Sequence, residues 1–298
     1  MVQAVMRNAS HAAEERPVLL VGASGSVGRM VLHHWRAAGL ETAVVPQYRQ
    51  PGVAGGLLWD PLSGPALPPT QARRHGRFSA MVVLAGVTPA SGQPLEGNLA
   101  LAVACLKAAR EAGIGRVLLA SSSAVYGPGA NLPEGAPCRP VNAYGRAKLA
   151  MEQACADWRA AGMDLCFLRI GNVAGADALL GTIAHAAPDA PVYIDTFDSG
   201  RGPVRSYIGP RTLAQVLQGL ACRPAPLPVV LNIAAPVPVS MDALADAAGH
   251  PWRPRRPGAG AQPVVTLDCA ALSALHPLAR DASDPAEMVR QWRATTAP

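Results

Sequence analysis

From residue 17 onward, short apolar runs rich in Val, Leu and Ile alternate with stretches whose hydrophobic positions recur every three to four residues. The runs predict buried strands at 17–22 (PVLLVG), 41–47 (ETAVVPQ), 55–60 (GGLLWD), 79–86 (SAMVVLAG), 115–123 (GRVLLASSS) and 163–173 (MDLCFLRIGNV). After the first run, Val27, Met30, Val31, His34, Trp35 and Ala38 share one helical face. Longer helices are predicted over about 94–112 and 141–161, the second burying Ala147, Met151, Ala154, Cys155 and Trp158. Strands that are apolar throughout, separated by helices, are the mark of a parallel sheet covered on both faces. The expected fold class is therefore α/β with a doubly wound parallel sheet. Past residue 175 prolines crowd 224–257, elements shorten, and 229–236 (VVLNIAAP) and 264–268 (VVTLD) read as isolated strands. The expected organisation is a flexible tail over 1–16, a large lobe over 17–175 and a small lobe over 176–298 that packs on it as a lid or substrate lobe.

Composition narrows the partners. Half of the 298 residues are hydrophobic and only 15% are charged, which suits a globular enzyme with a sizeable core and not a disordered chain. The net charge of +6 is spread as single arginines, and its one cluster, RPRRPG at 253–258, has no aromatic platform beside it. It reads as a solvated turn, so nucleic acid is not an expected partner and acidic small molecules are. The six cysteines are scattered with no C-x-x-C pair, which predicts reduced thiols, no metal site and a cytoplasmic setting. Residues 1–16 lack the unbroken apolar core of a signal peptide, and no eighteen apolar residues run together, so no membrane segment is expected.

Three stretches carry chemistry. VGASGSVG places Gly22, Gly25 and Gly28, with Ser24, Ser26 and Val27 between them, at the turn from the first strand into its helix. Glycines there let the backbone approach a diphosphate, whose charge meets the free N–H groups of the helix N-terminus. This predicts a Rossmann-type dinucleotide-binding lobe. The tip of the second strand, VVPQYRQ, carries no acid for a ribose hydroxyl but has Arg49 close by. Arg49 either pairs with a 2′-phosphate, favouring NADP over NAD, or points into solvent. Asp60, after the third strand, either meets the adenine amino group or forms a turn before Pro61. Finally, NAYGRAKLAMEQ places Tyr144 and Lys148 four apart on one helical face. A phenol titrates near 10 in isolation, and an adjacent ammonium lowers that value toward the range useful for proton transfer.

Taken together, VGASGSVG, LASSSAVYG, YGRAK and LRIGNVAG resemble, in order, the motifs of the extended short-chain dehydrogenase/reductase family of NAD(P)-dependent sugar-nucleotide epimerases, dehydratases and reductases. VRSYIGPRTLAQVL and VVLNIAAPVPVSMDALA continue the resemblance, which covers roughly residues 17–250. The resemblance implies Ser122 as the catalytic hydroxyl with Ser123 beside it, Tyr144 as acid/base, and Lys148 lowering its pKa and bonding the nicotinamide ribose. It also implies that Leu84, Ala85, Gly86, Asn172 and Val173 line the cofactor, that Asn98 faces the substrate, and that Arg205 holds a substrate diphosphate. A homodimer built through helices flanking the sheet is a further implication.

The departures matter too. Dehydratases of this family carry an Asp-Glu pair where this chain has Ser123 and Ala124, which disfavours elimination of water. Ser206 stands where an acid is usual, and Gly209 and Pro210 replace a His-Val step. The leading expectation is an NAD(P)-dependent epimerase or oxidoreductase acting by reversible hydride transfer on a nucleotide sugar. The alternatives are an NADPH-dependent reductase of a smaller carbonyl compound and a non-catalytic NAD(P)-binding regulator.

Overall fold

The computed structural model describes residues 16–40, 43–51, 55–64, 67 and 78–296. The expected tail, but for Arg16, and the first two residues of the predicted second strand lie outside the described residues. In chain order the strands are β1 (Val18–Val21), β2 (Val44–Tyr48), β3 (Leu57–Leu58), β4 (Ala80–Val83), β5 (Arg116–Ser122), β6 (Gly129–Leu132), β7 (Asp164–Ile170) and β8 (Asn172–Val173). They continue with β9 (Val192–Asp195), β10 (Val204–Arg205), β11 (Tyr207–Ile208), β12 (Val230–Ile233), β13 (Val239–Ser240), β14 (Trp252–Arg255) and β15 (Val264–Leu267). The helices are α1 (Ser26–Ala37), α2 (Gly97–Glu111), α3 (Ala143–Cys155), α4 (Asp157–Ala160), α5 (Ala178–Ile183), α6 (Pro210–Ala221), α7 (Met241–Ala247), α8 (Ala270–Leu275) and α9 (Pro285–Ala294).

Seven strands form one parallel sheet in the order β12-β7-β5-β4-β1-β2-β3. Alternate residues of each strand face opposite sides. Val18, Leu20, Val82 and Leu118 meet Val31, Trp35 and Leu217 of α1 and α6. Leu19, Val21, Met81 and Leu119 meet Leu106 and Met151 of α2 and α3. The chain reverses direction across the sheet between β1 and β4, so the carboxyl ends of those strands open a crevice, where such folds bind ligands. The core on the α1/α6 face continues without a break into the small lobe through Tyr207, Leu244 and Trp292. Among the described residues, no helix is long and apolar enough to cross a membrane.

Several sequence expectations need correction. The segment 229–236 is not an isolated strand: β12 pairs with β7 from Val230↔Phe167 to Ile233↔Ile170 and closes one edge of the large sheet. Its four residues stand between prolines, and only the partner strand shows that it belongs to the core. Likewise β15 lies between β10 and β6 in a four-stranded sheet. The predicted helix 141–161 breaks after Cys155, and its buried face is Gly145, Lys148, Met151, Glu152 and Cys155, with Ala154 exposed. At the C-cap of α1, Ala38 is exposed as well.

The Gly209-Pro210 departure is absorbed by the C-terminal helix. Gln291 Oε1 accepts from the backbone N–H groups of Arg211 and Thr212, each at 3.1 Å, and so caps α6 from another element. A Cβ at Gly209 would lie 2.2 Å from that same oxygen, which is why a bare position is needed there. Gln291 Nε2 also donates to Glu287 at 2.8 Å, and its carbonyl meets His34 Nε2 at 3.1 Å. Gln291→Ala is expected to destabilise the fold by about 1–3 kcal/mol, because it takes the acceptor from the Arg211 and Thr212 amides, the second of them buried. Chemical denaturation reads this as a lower midpoint, and an unchanged midpoint would show that the cap carries no weight.

Candidate active site

The turn after β1 is held in a shape that only glycine tolerates. Gly22 has φ +89°, and a Cβ on it would come within 2.4 Å of the Ala85 backbone nitrogen. A Cβ on Gly28 would sit 2.1 Å from the Gly22 carbonyl oxygen. Gly25 donates to Gly22 at 3.0 Å and stands at the N-cap of α1, whose first turn contains no acid to repel an anion. Ser24 and Ser26 are exposed on this turn, while Val27 is half-buried behind it. Leu84 and Ala85, after β4, both donate to the Val21 carbonyl, which draws the ends of β1 and β4 together below the turn.

At the tip of β2, the position expected to discriminate cofactors is held by a neutral residue. Gln47 is buried; its Oε1 accepts from Gly22 N–H at 3.0 Å and its amide donates to the Trp59 carbonyl. Next to it lies a cavity of about 1080 Å³ lined by Arg29, Arg36, Arg49, Ser24, Tyr48 and Asp60. Asp60 also forms the turn that the sequence left as its other reading, accepting from Leu62 N–H at 3.0 Å.

The proton-handling groups come together at the end of β5. The Ser122 hydroxyl faces the Tyr144 phenol and accepts from Ala124 N–H at 3.2 Å, while Ser123 opens the 3-10 turn that follows. Asn142 caps α3 through Gly145 N–H at 2.8 Å. A Cβ on Gly145 would meet the Ala124 carbonyl at 2.2 Å, so this glycine lets the serine turn rest directly on the helix that carries Tyr144. Lys148 is buried, donates to the Ala120 carbonyl at 2.9 Å, and lies 6.0 Å from the centre of the Tyr144 ring.

Burial raises the Tyr144 pKa, and the Ser122 hydroxyl nearby only partly offsets it. This differs from the lowering by Lys148 expected from the spacing. The ammonium is turned toward Ala120, and burial pulls its own pKa down to about 8.

One expected substrate contact is placed differently. Asn98 is buried and donates to the carbonyls of Val87 and Leu95, both at 2.9 Å, while its Oδ1 accepts from Val87 N–H. It therefore pins the loop after β4 instead of facing a substrate. Gly86 keeps that loop tight, since a Cβ there would lie 3.1 Å from Asn98 Oδ1 and 3.3 Å from Lys148 Nζ.

Arg205 donates to the carbonyls of Val204 and Gln262 at 2.8 Å and of Pro263 at 3.4 Å. Among the described residues this leaves Nε–H and one Nη2–H of its five donors for a ligand. Asn172 and Val173 follow β7 and pair with Tyr207 and Ile208. Ser206, standing where an acid is usual, accepts from Leu267 N–H at 2.8 Å and ties β10 to β15.

The sequence reading missed the setting of the RPRRPG cluster. Arg255 and Arg256 line a cavity of about 710 Å³ together with Phe197, Ser199, Pro257 and Pro263. Arg255 pairs with Asp195 across the β9–β14 contact, and the Pro263 carbonyl links this cavity to Arg205. The aromatic partner comes from a loop some sixty residues away, so no local pattern could have announced it. Among the described residues no cluster of His, Cys, Asp or Glu could hold a metal ion.

A seven-stranded parallel sheet with helices on both faces and a glycine turn after its first strand defines a Rossmann-type α/β protein. The sequence model of the NAD dependent epimerase/dehydratase family matches residues 18–190, and the chain belongs to that family. It is 36% identical over 186 residues to a UDP-glucose 4-epimerase of Azospirillum brasilense, covering 58% of this chain and 53% of that protein. It is 32% identical over 138 residues to a UDP-glucose 4-epimerase of Streptomyces lividans, covering 40% and 42%. The chain thus spans about half the length of the curated relatives it matches. Among solved structures, MoeE5 in complex with UDP-glucose and NAD superposes with a TM-score of 0.73 at 22% identity, over 94% of this chain and 100% of that one. The UDP-glucose 4-epimerase of Thermus thermophilus in complex with NAD gives 0.70 at 23% identity, over 93% and 99%. At these identities the superpositions establish the shared fold.

Gly28→Ala is expected to weaken dinucleotide binding at least about tenfold, or 1.4 kcal/mol, because the glycine turn must open to admit the methyl group. Calorimetric titration with NAD and NADP measures it, with circular dichroism to confirm the fold. Wild-type affinity in this variant would remove the turn from the binding site.

Proposed function

We propose that this chain is an NAD(P)-dependent epimerase or oxidoreductase that moves a hydride reversibly to and from a hydroxyl-bearing carbon of a nucleotide sugar. The observation that carries the reading is the meeting of Ser122, Tyr144 and Lys148 at the carboxyl edge of the sheet, beside a turn whose glycines leave room for a diphosphate. A bound dinucleotide supplies the hydride acceptor and, when oxidised, a positive ring. Ser122 holds the reacting oxygen by a hydrogen bond, and Tyr144 Oη moves its proton. In the free protein burial keeps Tyr144 a phenol, so it is poised as a donor; positive charge arriving beside it favours the phenolate that accepts a proton. Lys148, fixed on Ala120, has two further N–H groups to give a bound molecule.

The substrate class rests on the small lobe and on the relatives' names. A pocket that holds Phe197, Arg256, Asp198 and the Asp195-paired Arg255, joined through Pro263 to Arg205, suits a polar molecule that carries a flat ring, with Arg205 and Arg256 to meet an anionic group. A ketone held in the site and reduced from the other face gives the epimer, and a ketone released gives net oxidation. For the cofactor, the neutral Gln47 and the three arginines around the neighbouring cavity support NADP over NAD.

That same arginine group favours one second reading, an NADPH-dependent reductase of a small carbonyl compound that carries no nucleotide. Turnover assays separate the two: conversion of a UDP-sugar supports the first reading, while NADPH oxidation with a small carbonyl compound and none with any UDP-sugar supports the second.

With a panel of UDP-sugars, Tyr144→Phe is expected to cut turnover by about 10²–10⁴-fold, the range of a lost proton-transfer group. Arg205→Ala is expected to raise KM for the nucleotide sugar and to spare the binding of the dinucleotide. Undiminished turnover by Tyr144→Phe would sink the hydride-transfer reading, and an unchanged KM in Arg205→Ala would remove the diphosphate from its role.

A further inference from the structure

Three consecutive residues at the end of β5 each engage one residue of α3, and those helix residues are spaced four apart. Ser122 faces the Tyr144 phenol, the Ala120 carbonyl accepts from Lys148 at 2.9 Å, and the Ser121 hydroxyl donates to the Glu152 carboxylate. Residues four apart lie one above the other on a helix, so Tyr144, Lys148 and Glu152 form a single stripe pressed on the strand end. The proposed chemistry uses the first two and leaves Glu152 without a task.

Glu152 is an expensive residue to bury. It is 5% exposed, and besides Ser121 its oxygens receive Arg169 of β7 through Nη2 at 2.7 Å and Nε at 3.1 and 3.2 Å. Arg169 in turn lies 4.7 Å from the Tyr126 ring centre and donates to the Glu134 carbonyl at 3.1 Å. We propose that Glu152 is a positioning residue for Lys148: its carboxylate, clamped by Ser121 and Arg169, is the counter-charge that holds the buried ammonium on Ala120 and beside Tyr144. The inference rests on the reading that Lys148 serves the dinucleotide site.

The surroundings of Lys148 leave few other sources of charge. On its own helix Tyr144 lies one turn before it, with the ring centre 6.0 Å from Nζ, and Glu152 one turn after it. From β5 come the Ala120 carbonyl and the Ser122 hydroxyl, and from the loop after β4 come Gly86 and the amide of Asn98, all uncharged. Arg169 stands behind Glu152 on β7. Burial lowers the Lys148 pKa, and the Glu152 charge raises it part of the way back. Without that charge, the ammonium loses its proton at a lower pH. A purely structural role for Glu152 predicts the reverse sign, since a loosened site admits water and lets the lysine rise toward its ordinary value near 10.4.

The chain contains only two lysines, the exposed Lys107 on α2 and the buried Lys148, so the test can be read directly. In protein labelled with [13Cε]-lysine, free of substrate and dinucleotide, two NMR signals titrate with pH. Glu152→Gln is expected to lower the Lys148 midpoint by about one pH unit or more, as removal of one nearby buried charge requires, and to leave Lys107 in place. If that variant fails to fold with Arg169 unpaired, the double variant Glu152→Gln/Arg169→Gln removes both charges, and the midpoint again falls. A Lys148 midpoint that stays put or moves upward in the folded variant overturns the proposal. Since the readout needs no sugar, a wrong substrate class would show in the turnover panel and not here.

Discussion

The packing of the β5 end against the first turns of α3 is the constraint on which the site depends. Only a glycine at position 145 lets the Ala124 carbonyl come so close, and only that approach brings Ser122 to Tyr144. The same contact buries Lys148 and Glu152 on a helix face that an ordinary amphipathic helix would fill with apolar side chains. Burying them costs free energy, which the Ala120 carbonyl, Ser121 and Arg169 offset with hydrogen bonds of good geometry. A run of serines at the end of an apolar strand is therefore explained residue by residue: Ser121 holds a carboxylate, Ser122 faces the phenol, and Ser123 starts the turn.

The rest of the fold brings a second half of the site to that contact. Gly22 and Gly28 close the β1–α1 turn, and the carbonyl of Val21 gathers the ends of β1 and β4 beneath it. Asn98 then pins the loop after β4 beside Lys148. The small lobe is bound into the same frame through β12, through the hydrogen bond from the Tyr126 hydroxyl to Asn232 at 2.8 Å, and through Gln291 at the start of α6. Arg205 and the pocket at Arg255 and Arg256 thus stand on a lobe that shares a core with the sheet.

Much of this was legible in the sequence, and the limits have physical reasons. Strands β1 and β4 are buried and apolar throughout, and β5 and β7 have buried apolar centres, so the parallel sheet follows from them. Tyr144 and Lys148 were visible because helical spacing is a local property, and Ser122 because its stretch resembles a family motif. Partnerships across the chain were not visible. The membership of β12 in the sheet, the pairing of Glu152 with Arg169 and the cap supplied by Gln291 join residues 17 to 80 positions apart. Asn98 looked like a substrate ligand because its type and place allow either job, and only the geometry shows its amide spent on Val87 and Leu95. The direction of the Tyr144 shift was also hidden, since spacing reveals the neighbouring ammonium but neither the desolvation that raises the phenol's pKa nor the turn of that ammonium toward Ala120.

The central claim is that a hydride leaves the reacting carbon and that Tyr144 moves only the proton of its oxygen. The most direct measurement follows deuterium placed on that carbon of a UDP-sugar through turnover in ordinary water, by mass spectrometry and NMR of sugar and dinucleotide. The account predicts that all of the label is found either back on the same carbon or on C4 of the nicotinamide. Label washed out into solvent would mean that the carbon loses a proton instead of a hydride, and would contradict it.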